Sequence, residues 1–273
     1  MPCANVAYLV FDTESVADAS LVAKLRYPGE SIQPAEAVRR YRVELMAKWD
    51  SDFIPYTFQI PICVAVAKVT GDYRLLEIVL LDEPEFRAPH IAEKFWRGWE
   101  AYRRPTLVSF NGRNFDIPLM ELAAFRYGIS VPGWFGGAGK DVPRTRYNVQ
   151  SHIDLCELLT NFGCTRFHGG LNLAANLLGK PGKMDVVGDM VQDMYDAGRL
   201  SEINEYCRCD VLDTYFVFLR SRVLVGQLKL EDEQTLIAQT KQWLEQNAGR
   251  VQAFALYLEH WGDWPNPWTP RSP

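Results

Sequence analysis

Carboxylate side chains occur at three places in the chain, each in or next to a segment whose apolar pattern predicts a strand or a helix. Asp12 and Glu14 come directly after the β-prone run Val6–Phe11, Asp116 opens a segment with a helical pattern, and Asp210 lies in a long helical segment. Residues two apart on an extended chain point to the same side, so the carboxylates of Asp12 and Glu14 share one face. Like charges held together repel each other unless they share a cation or a proton. Oxygen-only sites rich in carboxylates suit Mg²⁺ or Mn²⁺, so this pattern indicates a divalent-metal site.

Each motif also has a simpler structural interpretation. Taken alone, the triplet at positions 12–14 is more simply a turn aspartate followed by a solvated glutamate. Asp116 ends the segment FNGRNFD and is by itself a residue at the start of a helix. Tyr206 and Asp210, in the sequence YCRCD, are four residues apart and share one helix face. The simpler interpretation of Tyr206 is a half-buried core aromatic, and that of Asp210 is a surface charge.

Taken together, FDTE, FNGRNFD about a hundred residues later and YCRCD about ninety further resemble the 3′–5′ exonuclease superfamily with four acidic residues and a tyrosine. The sequence is most similar to the stand-alone relatives of the proofreading domain of family B DNA polymerases, over roughly residues 5–222. A sister branch has histidine five residues before the last aspartate, but position 205 here is glutamate. Asp213 fits neither branch, because position 208 is arginine and position 209 is cysteine, so Asp213 is expected to be structural or to support the site from behind.

The resemblance implies catalysis with two divalent metal ions, Mg²⁺ or Mn²⁺, about 3.5–4 Å apart on the scissile phosphate. Asp12, Glu14, Asp116 and Asp210 would be the metal ligands, and these four together with Tyr206 would be the catalytic residues. One ion would bind Asp12, Glu14 and Asp210 and generate the attacking hydroxide. The other would bind Asp12 and support the leaving oxygen, with Asp116 acting directly or through water. Tyr206 would orient the attacking water, and its ordinary pKa of about 10 gives no reason to make it the base.

Substrate contacts are also implied by the resemblance. Phe110 and Asn111 resemble positions that contact the terminal nucleotide, although core packing is an equal alternative for Phe110; Thr13 and Lys183 complete the predicted substrate-binding set. The predicted partner is the 3′ end of single-stranded DNA, which would be shortened to nucleoside 5′-monophosphates. A 3′–5′ exoribonuclease and a non-catalytic docking module of the same fold are the alternatives, because discrimination against the 2′-hydroxyl depends on the shape of the pocket.

The overall charge of the chain speaks against a simple nucleic-acid binder. Its net charge is −5 and its pI is about 5.5, whereas such proteins usually carry a basic surface. Two basic segments offset this: residues 136–183 hold six basic and three acidic residues, and residues 21–48 are rich in arginine. Both are candidate phosphate tracks, and ordinary solvated charge explains them about as well. Asp154, in a predicted strand near the site, either supports the site or is purely structural.

The motifs need a scaffold that brings positions 12, 116 and 210 together. The patterns predict strands at Val6–Phe11, Ile60–Val69, Tyr73–Leu81, Thr106–Phe110 and Ser151–Leu155. They predict helices at Pro34–Lys48, Ile91–Tyr102, Phe115–Tyr127, Leu171–Leu178, Val187–Ala197, Ser201–Arg222, with Ser201 as N-cap, and Asp232–Trp261. This order indicates the α/β class. The resemblance implies an RNase H-like mixed five-stranded sheet flanked by helices, with extra C-terminal helices.

Composition limits the remaining choices. With 273 residues, 48% hydrophobic and 23% charged, the chain can bury a full core and is not mainly disordered. No apolar run approaches the ~18–20 residues of a membrane helix, and residues 1–10 lack the basic start of a secretory signal. The six cysteines include no CxxC pair, so we expect reduced thiols and a cytoplasmic location. We also expect an exonuclease domain over residues 1–225, a helical extension over 226–273, and a role in DNA repair or in proofreading for a separate polymerase.

Overall fold

A mixed β-sheet forms the centre of the fold. The computed structural model describes residues 6–182 and 190–268, and within them one sheet has five strands. The strands are β1 (Val6–Ala17), β2 (Gln59–Thr70), β3 (Leu75–Leu80), β4 (Thr106–Ser109) and β5 (His152–Asp154). They lie in the order β3-β2-β1-β4-β5; β1–β2 and β2–β3 are antiparallel, and β1–β4 and β4–β5 are parallel. The predicted α/β class, the RNase H-like sheet and the β2–β3 hairpin are confirmed.

Helices flank this sheet and extend beyond it. They are α1 (Ala19–Arg26), α2 (Pro34–Trp49), α3 (Ala88–Ala101), α4 (Asp116–Tyr127), α5 (Pro132–Phe135), α6 (Leu155–Leu159), α7 (Gly170–Asn176), α8 (Val191–Asp196), α9 (Leu200–Leu224), α10 (Leu230–Asn247) and α11 (Gln252–Glu259). No helix in the described ranges combines the length and the apolar composition needed to span a bilayer.

Apolar side chains cover both faces of the sheet, because neighbouring residues on a strand point in opposite directions. Val10 and Val108 pack against α9, α10 and α11, whereas Phe11 and Leu107 pack against α3 and α4. Burying one such side chain stabilises the fold by about 1.5–3 kcal/mol. The two cores fix α9 and α4 on opposite faces of β1 and β4, so both helices can present side chains at the same end of the sheet.

The first strand is longer than predicted, and the expected end at Phe11 is wrong. Parallel pairing with β4 stops at Val10, but antiparallel pairing with β2 continues through Asp12 and Glu14 as far as Ala17, with an irregularity after Glu14. The long apolar strand β2 supplies hydrogen-bond partners that the local pattern of residues 12–17 does not reveal. Asp12 and Glu14 therefore lie within β1, where one side of the strand is no longer covered by β4.

Helices α1 and α2 form a small unit between β1 and β2. Their apolar faces meet in a separate core that contains Val22, Tyr27, Val38 and Tyr41. The predicted helix at Pro34–Lys48 is confirmed as α2. Helix α1 was not predicted; Asp18 caps its start by accepting a hydrogen bond from the backbone N–H of Leu21.

The C-terminal helices differ from the prediction in detail. Helix α9 begins at Leu200 with Arg199 at the N-cap position, so the expected cap at Ser201 is wrong; Gly198, with φ +74°, ends α8 just before it. The predicted helical region Asp232–Trp261 is two helices, α10 and α11, interrupted at residues 248–251. Part of the predicted helix Val187–Ala197 lies outside the described residues, and within them the helix is α8 (Val191–Asp196). The proposed division of the chain at residue 225 stays a prediction.

The segment after α11 crosses the turn after α7 at very close range. A Cβ at Gly179, where φ is +67°, would lie 2.6 Å from the carbonyl carbon of Asp263, and a Cβ at Gly262 would lie 2.6 Å from the Gly179 oxygen. Next to this crossing, the buried Lys180 donates a hydrogen bond to the Gly262 carbonyl (2.9 Å), and its Nζ lies 3.7 Å from the centre of the Trp261 ring. Only backbone without side chains fits at the crossing point.

Candidate active site

Three carboxylates converge at the end of the sheet. Asp12 and Glu14 from β1 and Asp210 from α9 each offer an oxygen, and these oxygens lie within 4.8 Å of one another; we call this group the acidic cluster. The Cys207 thiol also lies 3.7 Å from Asp12 Oδ2. Burial, followed by the charges of Asp12 and Asp210, raises the pKa of Glu14 well above its usual range. A divalent cation that prefers oxygen ligands would relieve both the burial cost and the repulsion, so the donor set fits Mg²⁺ or Mn²⁺.

Tyr206 lies one helical turn before Asp210 and faces the same cluster. Burial is the main reason why the pKa of Tyr206 lies far above its ordinary value, and the charges of Asp210, Glu14 and Asp12 add to it. Its hydroxyl is within hydrogen-bonding reach of Asp210. The phenol is therefore protonated at neutral pH, and it can donate a hydrogen bond but cannot act as a base.

Asp116 opens α4 and is buried, but it is not part of the acidic cluster in the described structure. Burial raises its pKa to about 7, against the opposing effect of hydrogen bonds from its own backbone and from Thr13. Asp116 and Glu14 both line the same cleft, described below. This position is compatible with action through water; its predicted role as a metal ligand stays a prediction.

The turn before α4 is held by Asp154. Its Oδ1 accepts a hydrogen bond from the backbone N–H of Asn111 (3.0 Å) and its Oδ2 accepts one from that of Arg113 (2.9 Å). The same carboxylate caps α6 by accepting from the backbone N–H of Cys156 (3.0 Å). Asn111 has φ +64°, a conformation that these bonds help to hold. Asp154 therefore holds the turn that carries Asn111, and a supporting role in catalysis stays a prediction.

Two clefts meet at the acidic cluster. The wider one, about 750 Å³, runs past Asp210 and the loop of residues 163–172, and the narrower one, about 270 Å³, runs past Glu14 and Asp116. Both are lined by Asp12, Phe110 and Asn111.

Phe110 and Thr13 each reach the clefts. The Phe110 ring packs 5.7 Å from that of Phe167 and still faces both clefts, so core packing and an accessible edge coexist. Thr13 lines the narrower cleft. The predicted substrate residue Lys183 lies outside the described residues.

The expected phosphate track at residues 21–48 is largely neutralised by ion pairs. The pairs are Arg26 with Glu44, Arg39 with Glu36, Arg40 with Glu30 and Glu44, and Arg42 with Asp52 and Asp193. Glu30, Glu36 and Glu44 lie inside the same segment, and only Asp193 is distant in sequence. The prediction of a basic track in this segment is therefore not supported by the structure.

The second basic segment contributes less charge than its sequence suggests. Arg144 pairs with Glu121 (2.8 Å), Arg146 pairs with Glu157 (2.8 Å), and Lys180 is buried away from the clefts. Arg166 lines the wider cleft and makes no ion pair within the described part of the chain. Sequence analysis did not single out Arg166 within this segment.

Two of the aromatic residues on the narrower cleft were missed by sequence analysis. Phe53 and Phe115 both line it, yet Phe53 lies in a segment with no motif and Phe115 precedes Asp116 in a motif interpreted only through its aspartate. Phe115 could have been inferred from its position next to Asp116. No local pattern signals Phe53, because its place depends on how α2 returns to β2.

A family described as a predicted 3′–5′ exonuclease related to the exonuclease domain of PolB matches residues 51–264. The matched range includes Asp116, Tyr206 and Asp210, whereas Asp12 and Glu14 precede it. No curated protein matches the chain. Since the match spans well over half of the sequence, the chain belongs to this PolB-related exonuclease family.

Proposed function

We propose that this member of the PolB-related exonuclease family hydrolyses phosphodiester bonds from the 3′ end of single-stranded DNA and releases nucleoside 5′-monophosphates. The observation that carries the proposal is the acidic cluster, whose oxygens lie within 4.8 Å of one another where two clefts meet. A strand end can enter such a junction, whereas an uninterrupted strand has no terminal nucleotide to place in the narrower cleft. The proposed setting is the cytoplasm, in DNA repair or in proofreading for a separate polymerase. Consistent with a reducing compartment, the five cysteines in the described ranges are free thiols.

Asp12, Glu14 and Asp210 are proposed to hold two divalent ions, Mg²⁺ or Mn²⁺, with Asp116 reaching the site directly or through water. When bound, such ions would stabilise charge on the phosphate and provide a strong nucleophile at neutral pH. Without a cation the cluster would repel a phosphate, because its carboxylates carry the same sign of charge. The protein therefore depends on its metal to admit the scissile group.

The remaining residues are proposed to bind and orient. Tyr206, held protonated, donates a hydrogen bond that orients the attacking water, and Asp210 keeps its hydroxyl in place. Phe110 and Asn111, at the junction of the two clefts, position the terminal nucleotide together with Thr13. Lys183 is proposed to contact a phosphate of the substrate.

The test is an assay with the purified chain on 5′-labelled single-stranded DNA and RNA oligonucleotides, in Mg²⁺ or Mn²⁺. We expect a ladder of products that shortens from the 3′ end, with DNA cleaved faster than RNA. Asp12→Ala and Asp116→Ala should each remove nearly all activity, since each deletes a carboxylate from the proposed site. Cuts in a circular single strand would contradict an exonuclease, faster cleavage of RNA would make the enzyme an exoribonuclease, and no cleavage of either would contradict the proposed activity.

A further inference from the structure

An aromatic pair lines the narrower cleft together with the acids. The rings of Phe53 and Phe115 lie 5.6 Å apart, inclined by 56°, and Phe115 immediately precedes Asp116. Phe53 is 49% exposed even though it lines the same cleft as Asp12 and Glu14. A large apolar side chain gains little stability from such a half-exposed position, which leaves an aromatic face available to a ligand.

The chain on both sides of Phe53 is tied down, so the ring is presented by a fixed backbone. Asp52 accepts two hydrogen bonds from Arg42, at 2.9 and 2.6 Å, and the third arm of that guanidinium reaches Asp193 of α8 at 2.7 Å. Ile54 is buried in the core shared by α1 and α2, and its carbonyl accepts a hydrogen bond from the Gln59 side chain. The exposure of Phe53 is therefore a built feature of the α2–β2 connection.

The two clefts differ in what they can bind. The narrower cleft is lined by carboxylates and by aromatic rings, and Arg42, the one arginine that lines it among the described residues, is already paired with two acids. The wider cleft carries Arg166, which makes no ion pair in the described ranges. A phosphate chain suits the wider cleft, whereas a flat apolar group linked to a metal-bound phosphate suits the narrower one.

We propose that Phe53, backed by Phe115, stacks on the base of the 3′-terminal nucleotide, so that the narrower cleft receives this nucleotide and the wider cleft receives the strand that precedes it. The inference rests on the proposed function and adds a residue that recognises the base. Stacking on an aromatic ring is available to every base, so the contact would favour an intact base without selecting among the four.

The decisive experiment compares two 5′-labelled oligonucleotides that differ only in the last residue, an ordinary nucleotide or an abasic tetrahydrofuran. The wild-type protein should remove the ordinary residue about tenfold faster in kcat/KM, a ratio in the range expected for one stacked base. Phe53→Ala should bring this ratio close to one by slowing only the ordinary substrate, and Phe53→Tyr should keep it. Trp49→Ala is the matched control and should leave the ratio unchanged. Trp49 is the last residue of α2, is 66% exposed and does not line the cleft.

A binding measurement separates this inference from the proposed activity. In Ca²⁺, titration with 2′-deoxyadenosine 5′-monophosphate and with deoxyribose 5-phosphate should show about tenfold tighter binding of the nucleotide. That difference should be lost in Phe53→Ala and kept in Phe53→Tyr and Trp49→Ala. If the wild type cleaves nothing but binds in this way, the proposed activity fails and the base site stands. If Phe53→Ala, shown by its melting curve to be folded, keeps both preferences, the base site is wrong whatever the activity.

Discussion

Two aspartates on the same helix, three residues apart, have opposite surroundings. Asp210 joins Asp12 and Glu14 in the acidic cluster. Asp213 is fully buried behind it, where its Oδ1 accepts a hydrogen bond from the Tyr257 hydroxyl at 2.6 Å. Both lie on α9 and both are removed from bulk water, so burial alone does not distinguish a functional acid from a structural one.

The two carboxyl groups differ in the side chains that lie next to them. Asp213 receives a hydrogen bond from Tyr257, with Lys180 nearby, and burial raises its pKa to about 8. Its Oδ1 ties α11 to α9 through Tyr257, whereas its buried Oδ2 has no hydrogen-bond partner within the described residues. Asp210 lies beside Asp12 and Glu14, so a cation would relieve the repulsion among the three carboxylates. Four predictions test this difference between the two aspartates.

The largest expected effect is on activity. Asp210→Asn should lower kcat/KM for single-stranded DNA by about 10³-fold or more, because it removes a charge aimed at the reacting group. Asp213→Asn should keep most of the activity, since the amide fits the same space and faces away from the clefts. Single-turnover assays on both variants provide the measurement. An inactive Asp213→Asn beside an active Asp210→Asn would reverse the assignment.

The pH dependence of stability should separate the wild type from Asp213→Asn. The pKa of Asp213 is raised in the folded state, so its contribution to stability is fully present below about pH 4 and is lost as the pH rises towards about 8. The variant lacks this titration. Its free energy of unfolding relative to wild type should therefore improve between pH 4 and 8, by up to about 1.4 kcal/mol per pH unit. Urea unfolding in EDTA at several pH values measures it, and a constant difference would show that Asp213 does not titrate as proposed.

Metal binding should stabilise the protein through the acidic cluster alone. A divalent ion at a hundredfold excess over its Kd adds about 2.7 kcal/mol to the free energy of unfolding. For a chain of this size that raises Tm by roughly 5–11 °C. Mg²⁺, Mn²⁺ and Ca²⁺ should all act in a thermal melt against EDTA. Asp12→Ala should lose the shift and Asp213→Asn should keep it; an equal shift in Asp12→Ala would place the metal elsewhere.

The smallest effects come from the two tyrosines that serve the two aspartates. Tyr257→Phe should lower the free energy of unfolding by about 1–3 kcal/mol, because a buried carboxyl loses its donor, and should leave kcat/KM nearly unchanged. Tyr206→Phe should lower kcat by about tenfold and leave the metal-induced Tm shift intact, because it removes only a group that orients water. Melting curves and kinetics on both proteins test the pair. A Tyr206→Phe variant as active as wild type would remove the proposed role of that hydroxyl.

Periodic patterns predicted most of the fold because they report local geometry. The β2–β3 hairpin, α2, α4 and the long α9 are all visible from the spacing of apolar residues, and the pairing of Tyr206 with Asp210 follows from one helical turn. The extension of β1 past Asp12 is not visible, since it depends on pairing with β2 some fifty residues later.

Long-range contacts account for what the sequence did not indicate at the site. The arginines of residues 21–48 pair mostly with acids of the same segment, but Arg42 also reaches the distant Asp193. Sequence analysis expected Asp213 to be structural or supporting. It did not identify the partner Tyr257, which lies 44 residues away in the sequence. The exposure of Phe53 depends on Arg42 and Gln59. Such contacts leave no periodic signal, because they join segments that are neighbours only in the folded chain.

The crossing of the chain at Gly179 and Gly262 also constrains how this fold can diverge. Each glycine is required by the backbone of the other segment, so a side chain gained at one position cannot be accommodated by a change at the other. Relatives that keep the crossing should therefore retain both glycines, and relatives that lose one should lose the contact and the buried setting of Lys180 with it. The segment around residue 262 and the turn that it covers should therefore be kept or lost together, although more than eighty residues separate them in the sequence.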